Sequence, residues 1–321
     1  MQTAWDAGSG LNAFARKHVQ LIEERSKGRI KINFRTGGEI VQSFETWDAT
    51  GKGIIDVGHA CNCYTGTKSF ASQLFCSAPS SASCIGKYLW NIEGGGLEML
   101  RELMAKTYNV RVFASVPIVS ETFLYSRKPI SSVDELKKLK VRSAGIRGGV
   151  FKQAGVSVVS LPGGEIVPSL EKGVIDGAEY SDFWADSAMG LADVSKYIYF
   201  TKFPMGGHLY LFINIDKWNK LPSDLKEVVE SASLDAAAYN ITQEVLNNLP
   251  AWKKAKEKGL KISMLPDKVE EHLDAAAKAY YKEQRAKDPV FNKILTSIEE
   301  FNAKYDEFEP IAASSVLRTG C

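Results

Sequence analysis

The sequence predicts an α/β fold built as two similar lobes, and three observations support this prediction. The chain has 321 residues, which favours two domains of roughly 150 residues over a single core. Short β-branched runs alternate with longer helical patterns, as in α/β proteins with largely parallel sheets. A segment of the first half also recurs in the second half.

The predicted strands are short runs rich in Val and Ile that are bounded by turn residues. They cover residues 29–34, 54–60, 110–116, 139–144, 156–161, 174–180, 208–215 and 260–264. Predicted helices include 11–24, 97–106 and the long stretch 223–248. Beyond Pro222 the pattern is nearly all helical, with helix start signals at Pro266 and Pro289.

The internal repeat consists of two pairs of matching segments. Residues 37–43 (GGEIVQS) recur as 163–169 (GGEIVPS), and residues 52–56 (KGIID) recur as 172–176 (KGVID). Each copy predicts a Gly-rich turn, a short helix ended by glycine and a buried strand. The alternative to a true repeat is a chance match between two common strand–helix–strand turns. Two lobes on one plan predict a ligand cleft between them.

Composition excludes several classes of function. Hydrophobic residues make up 45% and charged residues 24% of the chain, as in a soluble globular protein. The net charge of +2 gives no basic surface for nucleic acid. No run of about 18 apolar residues predicts a membrane span. The N-terminus lacks a signal-peptide pattern, so either the protein is cytoplasmic or a signal peptide has been removed.

Motifs of catalysis are not found. The four histidines, His18, His59, His208 and His272, are scattered, and no Gly-x-Ser-x-Gly elbow occurs. The glycines at 94–96 and 145–149 do not match a phosphate-binding loop and predict a tight turn and a helix start. Binding without chemistry is therefore the expected function.

Four cysteines, Cys61, Cys63, Cys76 and Cys84, lie within 24 residues. Zinc sites commonly use Cys-x2-Cys spacing, whereas Cys61 and Cys63 are separated by one residue. A disulfide between Cys76 and Cys84, which suits an oxidising compartment, and buried free thiols are both expected ahead of a metal site.

Several segments together resemble the substrate-binding subunit of tripartite ATP-independent periplasmic (TRAP) transporters, the DctP family. They are KGIIDVG (52–58), KVRSAG (140–145), LPGGE (161–165) and KGVIDGAE (172–179). The resemblance covers nearly the whole chain. Three segments resemble those of the subgroup that binds 2-oxo and 2-hydroxy acids, namely LPGGE, GGGLE (94–98) and Gly58-His59-Ala60.

The resemblance implies an α/β fold of the two-lobed periplasmic solute-binding type (type II-like), with mixed sheets, a long interlobe helix and a helical C-terminal region. Lobe I is expected to comprise 1–124 plus about 205–250. Lobe II is expected to comprise 125–204 plus about 251–321, with hinge strands between the lobes.

The resemblance also implies that Arg142 pairs with the carboxylate of the ligand. Its chemistry agrees, because a guanidinium presents a planar donor fork that matches a carboxylate. A hydrogen bond to a charged group contributes about 1.5–3 kcal/mol, a large share of the ~8 kcal/mol behind micromolar affinity.

Glu179 and Tyr180 follow the strand of the second repeat. The resemblance implies that a Glu-aromatic pair here, with an upstream Gln, holds a metal ion that bridges to the ligand. This sequence has Glu121 at the upstream position. Two carboxylates beside an anionic ligand repel each other unless a cation lies between them. There are three alternatives. Glu121, Glu179 and Tyr180 hold Ca²⁺ or Na⁺, the ligand itself carries an amine, or neither cation is present.

Five further residues are candidate ligand contacts. Tyr64 and Asn62 follow the strand of the first repeat, Trp5 closes a short first strand, and Trp184 and Glu93 complete the set. Several aromatic rings would admit a bulky or aromatic acid.

The expected protein is a periplasmic clamp, its signal peptide removed, that closes on a small organic acid and delivers it to the small and large TRAP membrane subunits. An amino acid or sulfonate ligand, a receptor domain for signalling and an enzyme using Glu121 and Glu179 are the alternatives. In some members of the subgroup a C-terminal helix swaps between chains to form a homodimer. The apolar residues of 275–287 and 289–305 permit this or packing within one chain.

Overall fold

The structure is a computed structural model that describes residues 1–76, 78, 83–118, 120–202 and 206–319, with side chains described to residue 308. Its strands are β1 Gln2–Thr3, β2 Val57–Cys61, β3 Val110–Ile118, β4 Leu124–Ser126, β5 Lys140–Arg142, β6 Ser157–Val159, β7 Gly177–Ala178, β8 Tyr197–Phe200, β9 Gly207–Asn214 and β10 Lys261–Met264.

The helices of the described residues alternate with these strands and then form the C-terminal region. They are α1 Leu11–Arg25, α2 Thr46–Gly51, α3 Cys84–Ile92, α4 Gly96–Tyr108, α5 Val133–Lys137, α6 Gly145–Gln153, α7 Ile166–Glu171, α8 Phe183–Ala188, α9 Leu191–Val194, α10 Ile215–Asn219, α11 Ser223–Glu257, α12 Asp267–Lys287 and α13 Pro289–Thr319. None of the described helices is long and apolar enough to cross a bilayer.

Two mixed sheets confirm the predicted α/β class. The first has the order β1-β2-β9-β3, with β9 antiparallel to both β2 and β3. The second has the order β10-β8-β4-β7-β5-β6. We refer to the parts of the chain around these sheets as lobe I and lobe II; the domain boundaries stay a prediction.

The predicted strand at 29–34 is wrong. This segment is extended but makes only an isolated bridge between Arg35 and Gln2. The adjacent strand β1 is two residues long and pairs mainly with β2, so it offers no continuous edge to a longer partner.

Both lobes repeat the same order of structural elements, but the first pair of matching sequence segments does not occupy the same place in that order. In both lobes a 3-10 turn (Ser43–Glu45 and Gly163–Glu165) is followed by a six-residue helix, α2 or α7, and then by the strand β2 or β7. The two KGxID segments therefore correspond. Gly37 and Gly163 do not, because Gly163 begins the 3-10 turn, whereas Gly37 lies in the loop before it.

Helix α11 confirms the predicted long interlobe helix and extends it to Glu257, past Pro250. It packs on β3 and α1 in lobe I and on α8 in lobe II. Beyond Pro250, Ala255 joins the apolar core of lobe II. This packing offsets the backbone hydrogen bond that a proline removes from a helix.

The C-terminal helices pack on both lobes of the same chain. Helix α12 contacts α6, and α13 contacts α3 and α4. Phe291 and Ile294 are fully buried, and the ring of Phe291 stacks on Phe70 with 5.5 Å between centroids. Apolar side chains of this region therefore pack against other parts of the same chain.

The two lobes are in contact, as in a closed clamp. The backbone N–H of Gly164 donates to Asp6 Oδ2 at 2.6 Å, and the rings of Phe14 and Trp184 meet edge to face at 5.4 Å. Phe14 belongs to lobe I and Trp184 to lobe II. Their contact leaves a small enclosed space where the sheets approach each other.

Candidate functional site

A cavity of about 40 Å³ lies between the lobes. Six of the nine predicted ligand contacts line it, namely Trp5, Tyr64, Glu121, Arg142, Glu179 and Tyr180. Tyr180 and Arg142 come from the carboxyl ends of neighbouring strands in lobe II, where open α/β sheets bind ligands. Trp5 and Tyr64 come from lobe I.

Arg142 is the last residue of β5 and exposes only 2% of its surface. Its Nε donates to the carbonyl oxygen of Leu161 at 3.0 Å, and Nη1 donates to that of Glu179 at 2.6 Å. The third nitrogen, Nη2, has no hydrogen-bond partner among the described residues. These bonds fix the guanidinium and leave one nitrogen for an anion.

The two buried carboxylates share a cation that the sequence prediction missed. Arg147 Nη1 lies 2.6 Å from Glu121 Oε1 and 3.3 Å from Glu179 Oε2. Its Nη2 donates to the carbonyl oxygens of Thr122 and Phe123. The guanidinium thus supplies the positive charge that the prediction sought in a metal ion or in an amine on the ligand.

Metal binding by Glu121, Glu179 and Tyr180 is compatible with their chemistry, because carboxylate and phenol oxygens are hard donors. Glu179 already accepts hydrogen bonds on both oxygens, from the N–H of Ala144 at 3.1 Å and from Arg147. A second lone pair on each oxygen is left for an ion. The set fits a weakly held hard cation beside Arg147.

Three aromatic rings line the cavity together with Arg142. The ring of Trp5 lies 6.3 Å from that of Tyr180 and 6.1 Å from that of Tyr64. Arg142 lies over the Tyr180 ring at 5.4 Å. Burial raises the pKa of both tyrosines, so both phenols are neutral hydrogen-bonding groups.

A buried polar chain holds Trp5 in place. Trp5 Nε1 donates to His59 Nδ1, His59 Nε2 contacts Ser115 Oγ, and Ser115 Oγ contacts His18 Nδ1, each at 2.9 Å. His18 Nε2 continues to Ser233 Oγ on α11. Burial lowers the pKa of both histidines to about 3, so this chain is uncharged at neutral pH.

Three of the predicted contacts do not line this cavity. Asn62 is fully buried, and its Nδ2 contacts Met104 Sδ at 3.8 Å. Trp184 packs against Phe14 and Gly10 of the opposite lobe instead of lining the cavity. Glu93 is exposed after α3.

The cysteines form a cluster in the cavity wall. The sulfur atoms of Cys61, Cys63 and Cys76 lie within 4.8 Å of one another. Cys76 and Cys84 are not joined by a disulfide in the structure, which agrees with the alternative of free cysteines. Burial raises the pKa of Cys61, whereas hydrogen bonds from Cys61 and Cys63 hold the pKa of Cys76 well below its usual range.

His208 was not predicted to belong to the site, yet it lines the same cavity. Neither ring nitrogen has a hydrogen-bond partner among the described residues. Burial lowers its pKa to about 3, so the ring is neutral. The scattered spacing of the histidines gave no signal, because β9 brings His208 to the cavity from a distant part of the chain.

Comparison with known proteins identifies relatives of this chain. The chain is 28% identical over 302 residues to a monocarboxylate 2-oxoacid-binding periplasmic protein of Nostoc, covering 94% of this chain and 83% of the relative.

Solved structures share the fold over its whole length. A TRAP transporter solute-binding protein of Bordetella bronchiseptica, described with calcium and picolinate bound, has a TM-score of 0.93 at 25% identity and covers 100% of this chain and 96% of its own. A periplasmic solute-binding protein of Pseudoalteromonas atlantica, described with sodium and pyruvate, has a TM-score of 0.92 at 24% identity, with 99% and 97% covered.

The family known as bacterial extracellular solute-binding protein, family 7 (DctP) matches residues 1–288. The match spans both sheets and every cavity residue described above. Together with the two-lobed fold and the buried arginine between the lobes, it shows that the chain belongs to this family of TRAP solute-binding proteins.

Proposed function

We propose that this solute-binding protein captures a small organic carboxylate, a 2-oxo or 2-hydroxy acid, by closing its lobes, and delivers it to TRAP membrane subunits. The observation that carries the proposal is Arg142, a buried guanidinium at the interlobe cavity with one nitrogen unused by the described protein groups. An anionic solute satisfies that nitrogen and gains a charge-assisted hydrogen bond.

The size of the cavity favours the smallest acids of the predicted class. A volume of about 40 Å³ accommodates roughly three water molecules and hence a ligand of few non-hydrogen atoms. Trp5, Tyr64 and Tyr180 close over this space. A bulky aromatic acid therefore requires the lobes to separate further than they do here.

The charges in the cavity favour an acid without an amine. Arg147 already contacts both Glu121 and Glu179, so the two carboxylates do not require an ammonium group on the solute to balance their charge. Amino acids are therefore weaker candidates than 2-oxo and 2-hydroxy acids. A sulfonate has the charge that Arg142 requires but is bulkier than a carboxylate.

We also propose that Ca²⁺ or Na⁺ can join the solute at Glu121, Glu179 and Tyr180. The two solved relatives are described with calcium and picolinate and with sodium and pyruvate. When bound, such an ion would link the solute oxygens to the carboxylates. This chain's own residues orient the acid through Arg142 and balance the carboxylates through Arg147.

Delivery to membrane subunits follows from membership of a family whose proteins are periplasmic. The same proposal includes three further points. A signal peptide is removed, the protein catalyses no reaction, and two chains form a homodimer through the C-terminal helix. A receptor domain is the second candidate, because the same cavity would serve a signalling partner. A pull-down of partners from native membranes distinguishes the two.

Thermal-shift measurements with matched acids and amides test the proposal. Pyruvate and lactate should raise the unfolding temperature by a few degrees at about 100 times Kd, where binding contributes about 2.7 kcal/mol. Their uncharged amides should have no effect. Repeating the series with Ca²⁺ and with a chelator measures the contribution of the ion. Equal shifts from acids and amides would rule out recognition of the carboxylate.

A further inference from the structure

The three-sulfur cluster is built from separate parts of lobe I. Cys61 ends β2, Cys63 lies in the short helix Asn62–Tyr64, and Cys76 follows the 3-10 helix Phe70–Phe75. All three residues line the interlobe cavity. Among the described residues this is the group of metal-ligand side chains whose donor atoms converge most closely, within 4.8 Å.

The spacing of the sulfurs is close to that of a thiolate metal site. A tetrahedral Zn–S bond of about 2.3 Å places neighbouring sulfurs about 3.8 Å apart. The side chains therefore need only a small inward movement to share one ion. Three protein ligands also leave one coordination position open, as zinc sites with an exchangeable ligand do.

The cluster faces the same cavity as Arg142. An ion held by the three sulfurs would therefore lie in the wall of the space that the proposed solute occupies.

We infer that Cys61, Cys63 and Cys76 form a three-sulfur site for a thiophilic metal ion, such as Zn²⁺, Cd²⁺ or Cu⁺. Soft thiolate ligands select these ions over Ca²⁺ and Mg²⁺. On binding, the ion displaces the remaining thiol protons to solvent, and no oxidation or reduction takes place. The inference rests on the proposed function in one respect, that the carboxylate at Arg142 is the fourth ligand.

His208 supports a ligand at this wall of the cavity. Its neutral ring is 99% buried and has two nitrogens without hydrogen-bond partners among the described residues. Burying such a group without a hydrogen-bond partner is unfavourable. A water or solute oxygen on the bound ion would satisfy one of the nitrogens.

Titration of the reduced protein with Cd²⁺, without any acid, tests the site. Ultraviolet absorption from Cd–thiolate bonds should saturate at one ion per chain, and Ca²⁺ should neither produce nor compete for it. Cys61→Ser, Cys63→Ser and Cys76→Ser should each weaken binding by about 100-fold or more, since loss of a supporting residue alone costs 10–100-fold. Cys84→Ser, a thiol outside the cluster, is the matched control and should leave the affinity unchanged.

X-ray absorption of the wild-type Cd²⁺ complex requires no variant and should count three sulfur neighbours. Fewer than three, or no thiolate absorption in the titration, would overturn the inference. Arg142→Ala should retain Cd²⁺ binding and lose the response to acids. A protein that responds to acids but not to Cd²⁺ therefore refutes only the metal site, and the converse refutes only the carboxylate proposal.

Discussion

Arg147 resolves a conflict that the sequence creates by placing two carboxylates beside an anion site. Its guanidinium contacts both Glu121 and Glu179 and is itself 98% buried. Breaking a buried ion pair from one side costs more than the pair contributes, because the remaining charges stay buried without compensation.

Replacing Arg147 by Met should therefore lower the free energy of unfolding by about 3–5 kcal/mol. Adding Glu121→Gln to this variant should recover part of the loss, since it removes one of the unpaired charges. Urea unfolding of the wild type, the single variants and the double variant measures both effects. Losses that simply add in the double variant would show that the two groups do not interact.

Sequence reasoning found most of the carboxylate and aromatic residues of the cavity but not Arg147. Arg142, Glu179 and Tyr180 lie in segments that resemble a known family, and their strand-end positions agree with chemistry. Arg147 lies between glycines in a predicted helix start, a pattern that does not indicate which face a side chain occupies. The sulfur cluster was missed because Cys76 joins it through tertiary structure.

At the scale of elements, the buried polar chain joins α1, β2, β3 and α11 behind the cavity. His18 is neutral in the folded protein because burial lowers its pKa to about 3, whereas the unfolded chain titrates near pH 6.5. Since the folded pKa is depressed below the unfolded one, the unfolded state binds the proton first. Acid therefore destabilises the fold through this residue.

The stability of the wild type relative to His18→Gln should fall by up to about 1.4 kcal/mol per pH unit between pH 6 and pH 4. Comparing the two proteins cancels contributions from other titrating groups, including Asp182, whose pKa burial raises to about 6. Urea midpoints at several pH values measure the difference. A difference that does not vary with pH would contradict a neutral buried His18.

The interlobe contact at Gly145 predicts a variant that affects closure. Gly145 begins α6 with φ +61°, and an added Cβ would lie 3.2 Å from Cys63 Cβ of the opposite lobe. Gly145→Ala should therefore weaken acid binding by more than it lowers the stability of the ligand-free protein. Calorimetric titration and urea unfolding give the two quantities.

Gly155→Ala is the matched control for this variant. Gly155 has a similar positive φ of +85°, but its added Cβ would meet only the flexible side chain of Lys137 at 3.3 Å, within lobe II. It should carry the same backbone strain, about 1–2 kcal/mol, without affecting affinity. Equal effects of both variants on binding would show that Gly145 acts through strain alone.

The elements themselves were largely predictable, and the exceptions have physical causes. The long helix and the helix starts at Gly96 and Gly145 follow from periodicity and glycine placement. Strand β4, Leu124–Ser126, contains no Val or Ile, the residues on which the other strand predictions depend. The GGEIV match misled because identical residues occupy a loop in one lobe and a helix start in the other.

At the scale of the whole molecule, the two lobes are in contact, and Arg142 lines the space they enclose. Helix α11 spans both lobes, while α12 and α13 pack on different lobes. A solute shifts such a clamp toward closure only by its greater affinity for the closed state. The bond between Arg142 and the solute carboxylate is the interaction that we expect to provide it.

Calorimetric titration of Arg142→Ala with the acid that most stabilises the wild type tests this bond directly. Losing one partner of a buried charge pair costs about 2–5 kcal/mol, so affinity should fall at least about 30-fold. Arg35→Ala, which removes an exposed arginine of lobe I, should bind like the wild type. Wild-type affinity in a folded Arg142→Ala protein would contradict the central claim.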